Sequence, residues 1–238
     1  MKKFWEIKNV TPMKADLYIY GEIVSKKWQD DEVSAQSFHE NLKALGDIQT
    51  LRVYINSSGG SVFEGQAIYS MLKRHPANIQ VHIDGVAASI ASVIAMAGDQ
   101  IIMPSNAMIM IHNPWVLAYG NASELRKLAD DLDKIRESLI AAYLNRPNLK
   151  MSREKLITMM NQETWLTAQE SLELGLIDHV TEAKEIAASI SPDALAVYKN
   201  VPEQLKNEYV LLSEERQAMI REAKANIEQI NQILGVNQ

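Results

Sequence analysis

The sequence predicts an α/β protein built on a sheet with parallel strand pairs and helical crossovers. Three observations lead there. Short apolar runs alternate with helix-spaced runs from Phe4 to Ile111. The stretches rich in glycine and serine follow apolar strands, and sites gather at the carboxyl ends of parallel strands. A chain of 238 residues, 47% hydrophobic and 23% charged, can also bury one good-sized core and carry an appendage.

Taken in order, Phe4 to Val10 and Asp16 to Val24 read as strands separated by the Thr11-Pro12 break. Asp30 to Leu45 reads as a helix, with Val33, Phe38, Leu42 and Leu45 near one face and Gly46 as its stop. The strand Leu51 to Ile55 runs into a loop, Asn56 to Val62, whose Gly59 and Gly60 permit positive φ and close backbone approach. Phe63 to Arg74 is helical up to His75-Pro76, and Ile79 to Ile83 is the next strand. After a further helix come two short strands, Gln100 to Met103 and Ala107 to Ile111.

From Ser123 the spacing changes. Leu125, Leu128, Leu132, Ile135 and Leu139 form one apolar stripe on a long helix, which packs either on its own domain or on another subunit. Arg153 to Asn161 is a second helix. Thr167 caps a third, Ala168 to Leu174, as a capping box with Glu170, and Gly175 ends it. The composition loosens after Val180. The organisation expected is one domain over residues 1–182, a linker over 183–212 and a C-terminal amphipathic helix over 213–238, striped by Met219, Ala223, Ile227, Ile230 and Leu234.

A net charge of −6 argues against nucleic acid and anionic membranes as partners, because neither polyanion is drawn to an acidic surface. With no cysteine there is no disulfide and no thiol chemistry. The longest apolar run, Val86 to Ala97, falls well short of the ~20 residues that span a bilayer. Without a signal-like opening segment, the cytoplasm is the expected location. No metal-ligand spacing and no phosphate loop occurs, so no cofactor is expected.

The stretch Ile83-Asp84-Gly85-Val86-Ala87-Ala88-Ser89-Ile90 carries an extended segment into a helical one. A serine at such a junction can hold its hydroxyl clear of the backbone, beside the unpaired amides of the helix's first turn. The same pattern also serves as a packing device. A serine nucleophile needs a base, and the chain offers His39, His75, His82, His112 and His179. His112 ends an apolar strand and is fixed by Asn113-Pro114, so it shares the strand-end position of Ser89; it is either a structural histidine or that base.

Tyr54-Ile55-Asn56-Ser57-Ser58-Gly59-Gly60-Ser61-Val62, Gly85-Val86-Ala87-Ala88-Ser89 and Met110-Ile111-His112-Asn113-Pro114 closely resemble the Clp protease proteolytic-subunit family, ClpP. Trp165-Leu166-Thr167-Ala168 through Gly175-Leu176-Ile177-Asp178 adds a fourth motif in the same order. The resemblance covers roughly Asp16 to Val180. It implies the ClpP/crotonase fold, repeated βαβ units with a protruding helical handle over Ser123 to Tyr143, here with a C-terminal helical extension.

It further implies a serine endopeptidase, with Ser89 as nucleophile, His112 as general base, and the Gly60 and Ile90 amides as the oxyanion hole. Glu163 stands where the family usually carries the aspartate that orients the base, and its extra methylene demands a shifted backbone. Ser58 replaces the family's usual proline, which loosens the turn without removing donors. Implied partners are polypeptide substrates and further copies of the chain in a heptameric ring or stacked rings. The opening Met1 to Val10 differs from the family's axial-loop segment, which leaves docking of a Clp-type ATPase open.

The Trp115 to Tyr143 segment and the tail resemble the phage and prophage branch, whose members act as head-maturation (prohead) proteases on capsid and scaffold proteins. Two other readings compete. A Ser/Lys peptidase of the signal-peptide-peptidase type would use Lys73 or Lys127 and give His112 no role. A non-catalytic ring-forming assembly protein would tolerate the Glu163 departure. The motifs point away from an acyl-CoA enzyme of the crotonase type.

Overall fold

The computed structural model describes residues 3–24, 27–28, 31–32, 35–183, 195–202 and 205. The chain opens with β1 (Trp5–Thr11) and β2 (Lys14–Ile23), an antiparallel pair. Two dipeptides, β3 (Lys27–Trp28) and β4 (Asp31–Glu32), pair as a small ribbon, followed by α1 (Ala35–Lys43). The expected helix from Asp30 therefore starts later. Its opening amide, Ala35 N–H, donates to Glu64 Oε2 at 2.8 Å, so a carboxylate from another helix satisfies an end that lacks its own acidic first turn.

The sheet grows by parallel addition of β5 (Thr50–Gly60) to β2 and of β6 (Asn78–Ala88) to β5, with α2 (Val62–Lys73) between them. Six-residue α3 (Ile90–Ala95) leads to β7 (Gln100–Pro104) and β8 (Met108–Ile111). After α4 (Ala122–Leu144) and α5 (Arg153–Asn161) come β9 (Thr164–Thr167), α6 (Ala168–Glu173) and β10 (His179–Thr181). The main sheet has eight strands in the order β1-β2-β5-β6-β7-β10, with β8 joined to β6 and β9 to β8. This is the α/β architecture expected.

The buried face explains the alternation in the strands. Leu17, Ile19, Val53, Ile55, Val81 and Ile83 are all fully buried in one core with Ile68 and Leu72 of α2 and Ile90 and Ile94 of α3. Each such aliphatic side chain contributes about 1.5–3 kcal/mol on burial. The intervening residues occupy the other face, where Tyr18 stacks on Tyr54 and Tyr54 on His82, with ring centroids 5.0 Å apart in both pairs. That ladder follows the register, Tyr18 opposite Tyr54 and Tyr54 opposite His82. Parallel strands buried on both faces read as continuous apolar runs; these alternate because one face is only half-buried.

Two boundaries move at the ends of strands. Asn56 to Gly60, expected as a loop, continues β5, and the Ile79 strand runs on to Ala88. Both extensions carry register shifts, between Ile55 and Ser57 and between Tyr20 and Glu22. Side chains fill the ladder positions that the shifts vacate. Val86 N–H donates to Asn56 Oδ1 at 3.1 Å, Ser57 Oγ donates to the Gly21 carbonyl at 2.6 Å, and Gly59 N–H donates to Ser57 Oγ at 3.1 Å.

Helix α4 is capped by Asn121 in a capping box with Glu124, and its two halves differ. Leu125 is exposed, whereas Leu139, Ile140, Ala142 and Tyr143 are buried. The N-terminal half is thus a projection and the C-terminal half belongs to the core. The expected Thr167/Glu170 capping box is present on α6, and Gly175 follows with φ 75°. The Gly175 to Asp178 stretch ends in a buried ion pair. Arg146 pairs with Asp178 and donates to the Gly98 carbonyl at 2.9 Å, while Asp178 also accepts from Ile101 N–H at 2.7 Å and from Asn148 Nδ2 at 3.0 Å. The C-terminal amphipathic helix expected over 213–238 lies outside the described residues.

Removing one member of that pair leaves a buried charge alone. Arg146→Met is expected to lower the urea unfolding free energy by about 3–5 kcal/mol, and adding Asp178→Asn to recover part of the loss.

Candidate active site

Strand β6 forks. Gln80 to His82 pair with β7, and Val86 to Ala88 pair with β8 in parallel register, Ala88 opposite Met110. Strand β9 runs antiparallel to β8, with Ile111 opposite Thr164. The residue after β6 is Ser89, the residue after β8 is His112, and the residue before β9 is Glu163. Strand direction and register alone thus bring all three to one end of the sheet.

Ser89 has φ 56° and ψ −128°, an uncommon conformation for a residue with a side chain, at the turn between β6 and α3. Several bonds hold it. Ser89 N–H donates to the Met110 carbonyl at 3.0 Å, and Ser92 meets the Ser89 carbonyl through its backbone N–H (3.0 Å) and its hydroxyl (2.6 Å). The Ser92 hydroxyl also shares a 2.6 Å hydrogen bond with buried Tyr143, so α4 braces the turn from below. Such strain persists only where the surroundings over-determine it.

Ser89 Oγ lies 2.7 Å from His112 Nε2. Desolvation lowers the His112 pKa from its ordinary 6.5, and the Glu163 carboxylate raises it in part. Imidazole is therefore favoured over imidazolium at neutral pH, which suits a proton acceptor. Glu163 acts on the ring through its charge, and Lys199 and Asn200 N–H both donate to its Oε1 at 2.7 Å. Its own backbone has φ 52°, a second non-glycine residue in the left-handed region.

Glycine is required beside the serine. At Gly59 (φ 95°) a Cβ would stand 2.7 Å from Ser89 Cβ and 2.8 Å from the Ala88 carbonyl oxygen. Gly60 (φ 139°) ends β5 opposite Ile23, and Ile90 begins α3 directly after the serine. A cleft of about 410 Å³ is lined by Gly59, Gly60, Ser89, His112, Trp115 and Tyr198 among others. A second of about 360 Å³ runs from His112 to Glu163 and Asn200.

The other histidines lie elsewhere: His82 is in the tyrosine ladder and His75 Nδ1 accepts from Ala77 N–H at 3.2 Å. Lys127 pairs with Asp131 on the exposed half of α4, and neither it nor Lys73 lines either cleft. Among the described residues no group of His, Cys, Asp and Glu could hold a metal ion, and no helix is long and apolar enough to cross a membrane.

Tyr198 is the site residue that sequence reasoning missed. Its ring meets His112 edge-on, with centroids 5.4 Å apart, and its hydroxyl donates to the Ser58 carbonyl. It sits in an aperiodic stretch, where the only cue is one tyrosine closing the short apolar run Leu195-Ala196-Val197.

The sequence profile of the Clp protease family matches residues 10–184. The ATP-dependent Clp protease proteolytic subunit of Bacteroides fragilis is 31% identical over 158 residues, covering 64% of this chain and 75% of that protein. That of Deinococcus radiodurans is 34% identical over 137 residues, 56% of this chain and 66% of that protein. That of Bacteroides thetaiotaomicron is 30% identical over 158 residues, 64% and 70% respectively.

Gly59→Ala is expected to push the Ser89 turn out of place. Reaction of Ser89 with a fluorophosphonate should fall at least about a hundredfold, as for loss of one oxyanion donor. Circular dichroism should still report a folded chain.

Proposed function

Because the chain belongs to the Clp protease family, we propose that it is a serine endopeptidase whose triad is Ser89, His112 and Glu163. The observation that carries this reading is the 2.7 Å contact between Ser89 Oγ and His112 Nε2 at a strained strand-to-helix turn. Ser89 Oγ attacks the peptide carbonyl while His112 Nε2 takes its proton. The oxygen's developing charge is met by the Gly60 and Ile90 amides. The C–N bond then breaks, His112 returns the proton to the leaving amine, and water attacks the acyl-serine by the same route.

Glu163 is a positioning residue. Its charge stabilises the imidazolium that forms at His112, in keeping with its upward pull on that ring's pKa.

The substrates proposed are extended polypeptides, and the likeness to the prohead-protease branch makes capsid and scaffold proteins the first to try. Trp115, Val116, Leu117 and Tyr119 are exposed, and Leu125 extends the apolar surface onto the projecting half of α4. Further copies of the chain, arranged in a ring in the cytoplasm, would cover them. The relatives are named ATP-dependent proteolytic subunits, so a Clp-type ATPase is the partner to test.

Ser89→Ala is expected to abolish both fluorophosphonate labelling and cleavage of a casein-like unfolded substrate. His112→Ala should cost about a thousandfold or more. Unchanged cleavage in either variant would overturn the assignment, and native mass measurement on the same samples reads the ring.

Glu163→Gln removes the charge that raises the His112 pKa. The acid limb of the rate against pH, which should lie below the ordinary imidazole value of 6.5, is expected to move lower still, while the plateau rate falls. A limb that stays in place would deny Glu163 its influence on the base.

A further inference from the structure

Residues 195–202 lie against the cleft and touch both His112 and Glu163. The anchors are apolar: Leu195 and Val201 are buried, and Tyr198 packs with Val86, Ala88, Met110 and Trp165. Its ring is edge-on to His112 at 5.4 Å and to Trp165 at 5.9 Å. The phenol donates to the Ser58 carbonyl, one residue before the glycine pair, and Tyr198 lines the same cleft as Ser89. The amides of the next two residues, Lys199 and Asn200, occupy Glu163 Oε1, and Asn200 Nδ2 donates to the Gln162 carbonyl at 2.7 Å.

These contacts oppose catalysis in two ways. A phenol beside Ser89 Oγ takes the space a substrate carbonyl needs, and it offers no carbonyl to attack, so it is not consumed. Two amides on Glu163 also draw on the charge that would otherwise stabilise the imidazolium. Burial pushes the phenol up to about 12, so it stays a neutral donor across the working pH range.

We propose that residues 195–202 form an autoinhibitory strap, with the Tyr198 phenol blocking the nucleophile and the Lys199–Asn200 backbone engaging Glu163. The strap rests on the serine-peptidase reading and adds a closed state to it. A polypeptide substrate reacts only with the fraction of molecules whose strap is displaced, and the apparent affinity falls by that fraction.

The test is the second-order rate of fluorophosphonate labelling at Ser89 in the full chain, with circular dichroism as the folding control. Tyr198→Ala is expected to raise the rate about tenfold, the gain if the strap is closed in nine molecules of ten. Tyr198→Phe keeps the ring against His112 and Trp165 and loses only the hydroxyl, so a smaller rise is expected. Asn200→Pro deletes one amide donor to Glu163 and the side-chain bond to the Gln162 carbonyl, leaves the lining of the Ser89 cleft unchanged, and should also accelerate labelling. If the wild type labels at Ser89 as fast as or faster than all three folded variants, the strap is wrong and the peptidase reading stands. If Ser89 is unlabelled in the wild type and in every variant, the peptidase reading fails and the strap with it.

Discussion

The short strand β8 has two different neighbours, and the cleft depends on how it pairs with each. It takes β6 in parallel along one edge and β9 antiparallel along the other. A parallel pair puts the carboxyl ends of two strands together, and an antiparallel pair puts a carboxyl end beside an amino end. Hydroxyl, imidazole and carboxylate emerge from those three ends. A one-residue slip of β8 would turn Ile109 and Ile111 away from the core, so burial of those side chains holds the same register that aligns the site.

That alignment comes with backbone strain. Ser89 and Glu163 both carry positive φ, and Gly59 and Gly60 supply it opposite the serine. The bracing groups are polar and local: Asn56 and Ser57 fill the shifted ladder of β5, and Ser92 with Tyr143 supports the serine turn. Burial raises the Tyr143 hydroxyl well above the usual phenol range, so it is a neutral hydrogen-bonding post rather than a titrating group. A helix whose far end projects thereby takes part in holding Ser89.

Different forces hold the two ends of the sheet. Near the cleft, hydrogen bonds to strained backbone dominate. At the opposite end, Arg146 and Asp178 tie α4, β7 and β10 together through a pair that is almost completely buried and that also satisfies backbone groups of Gly98 and Ile101. The exposed ion pairs along α4, such as Lys127 with Asp131 and Lys134 with Asp131, are solvated and add little to stability.

By itself the sequence determined the α/β class, the period-2 strands, the caps at Thr167 and Gly175, and the candidacy of Ser89 and His112, because each is written in a few adjacent residues. Glu163 was legible only through resemblance to a family, since a lone glutamate before a strand has no local signature. Tertiary structure decided the rest. Only pairing across the sheet shows that β5 and β6 run on through their small-residue ends, since the ladder partners that make them strands are Glu22 and Ile23 for β5 and Met108 to Met110 for β6, far away in the chain. It also decided that Tyr198 reaches Ser58, because a contact made by an aperiodic segment depends on the surface it meets and leaves no periodicity to read.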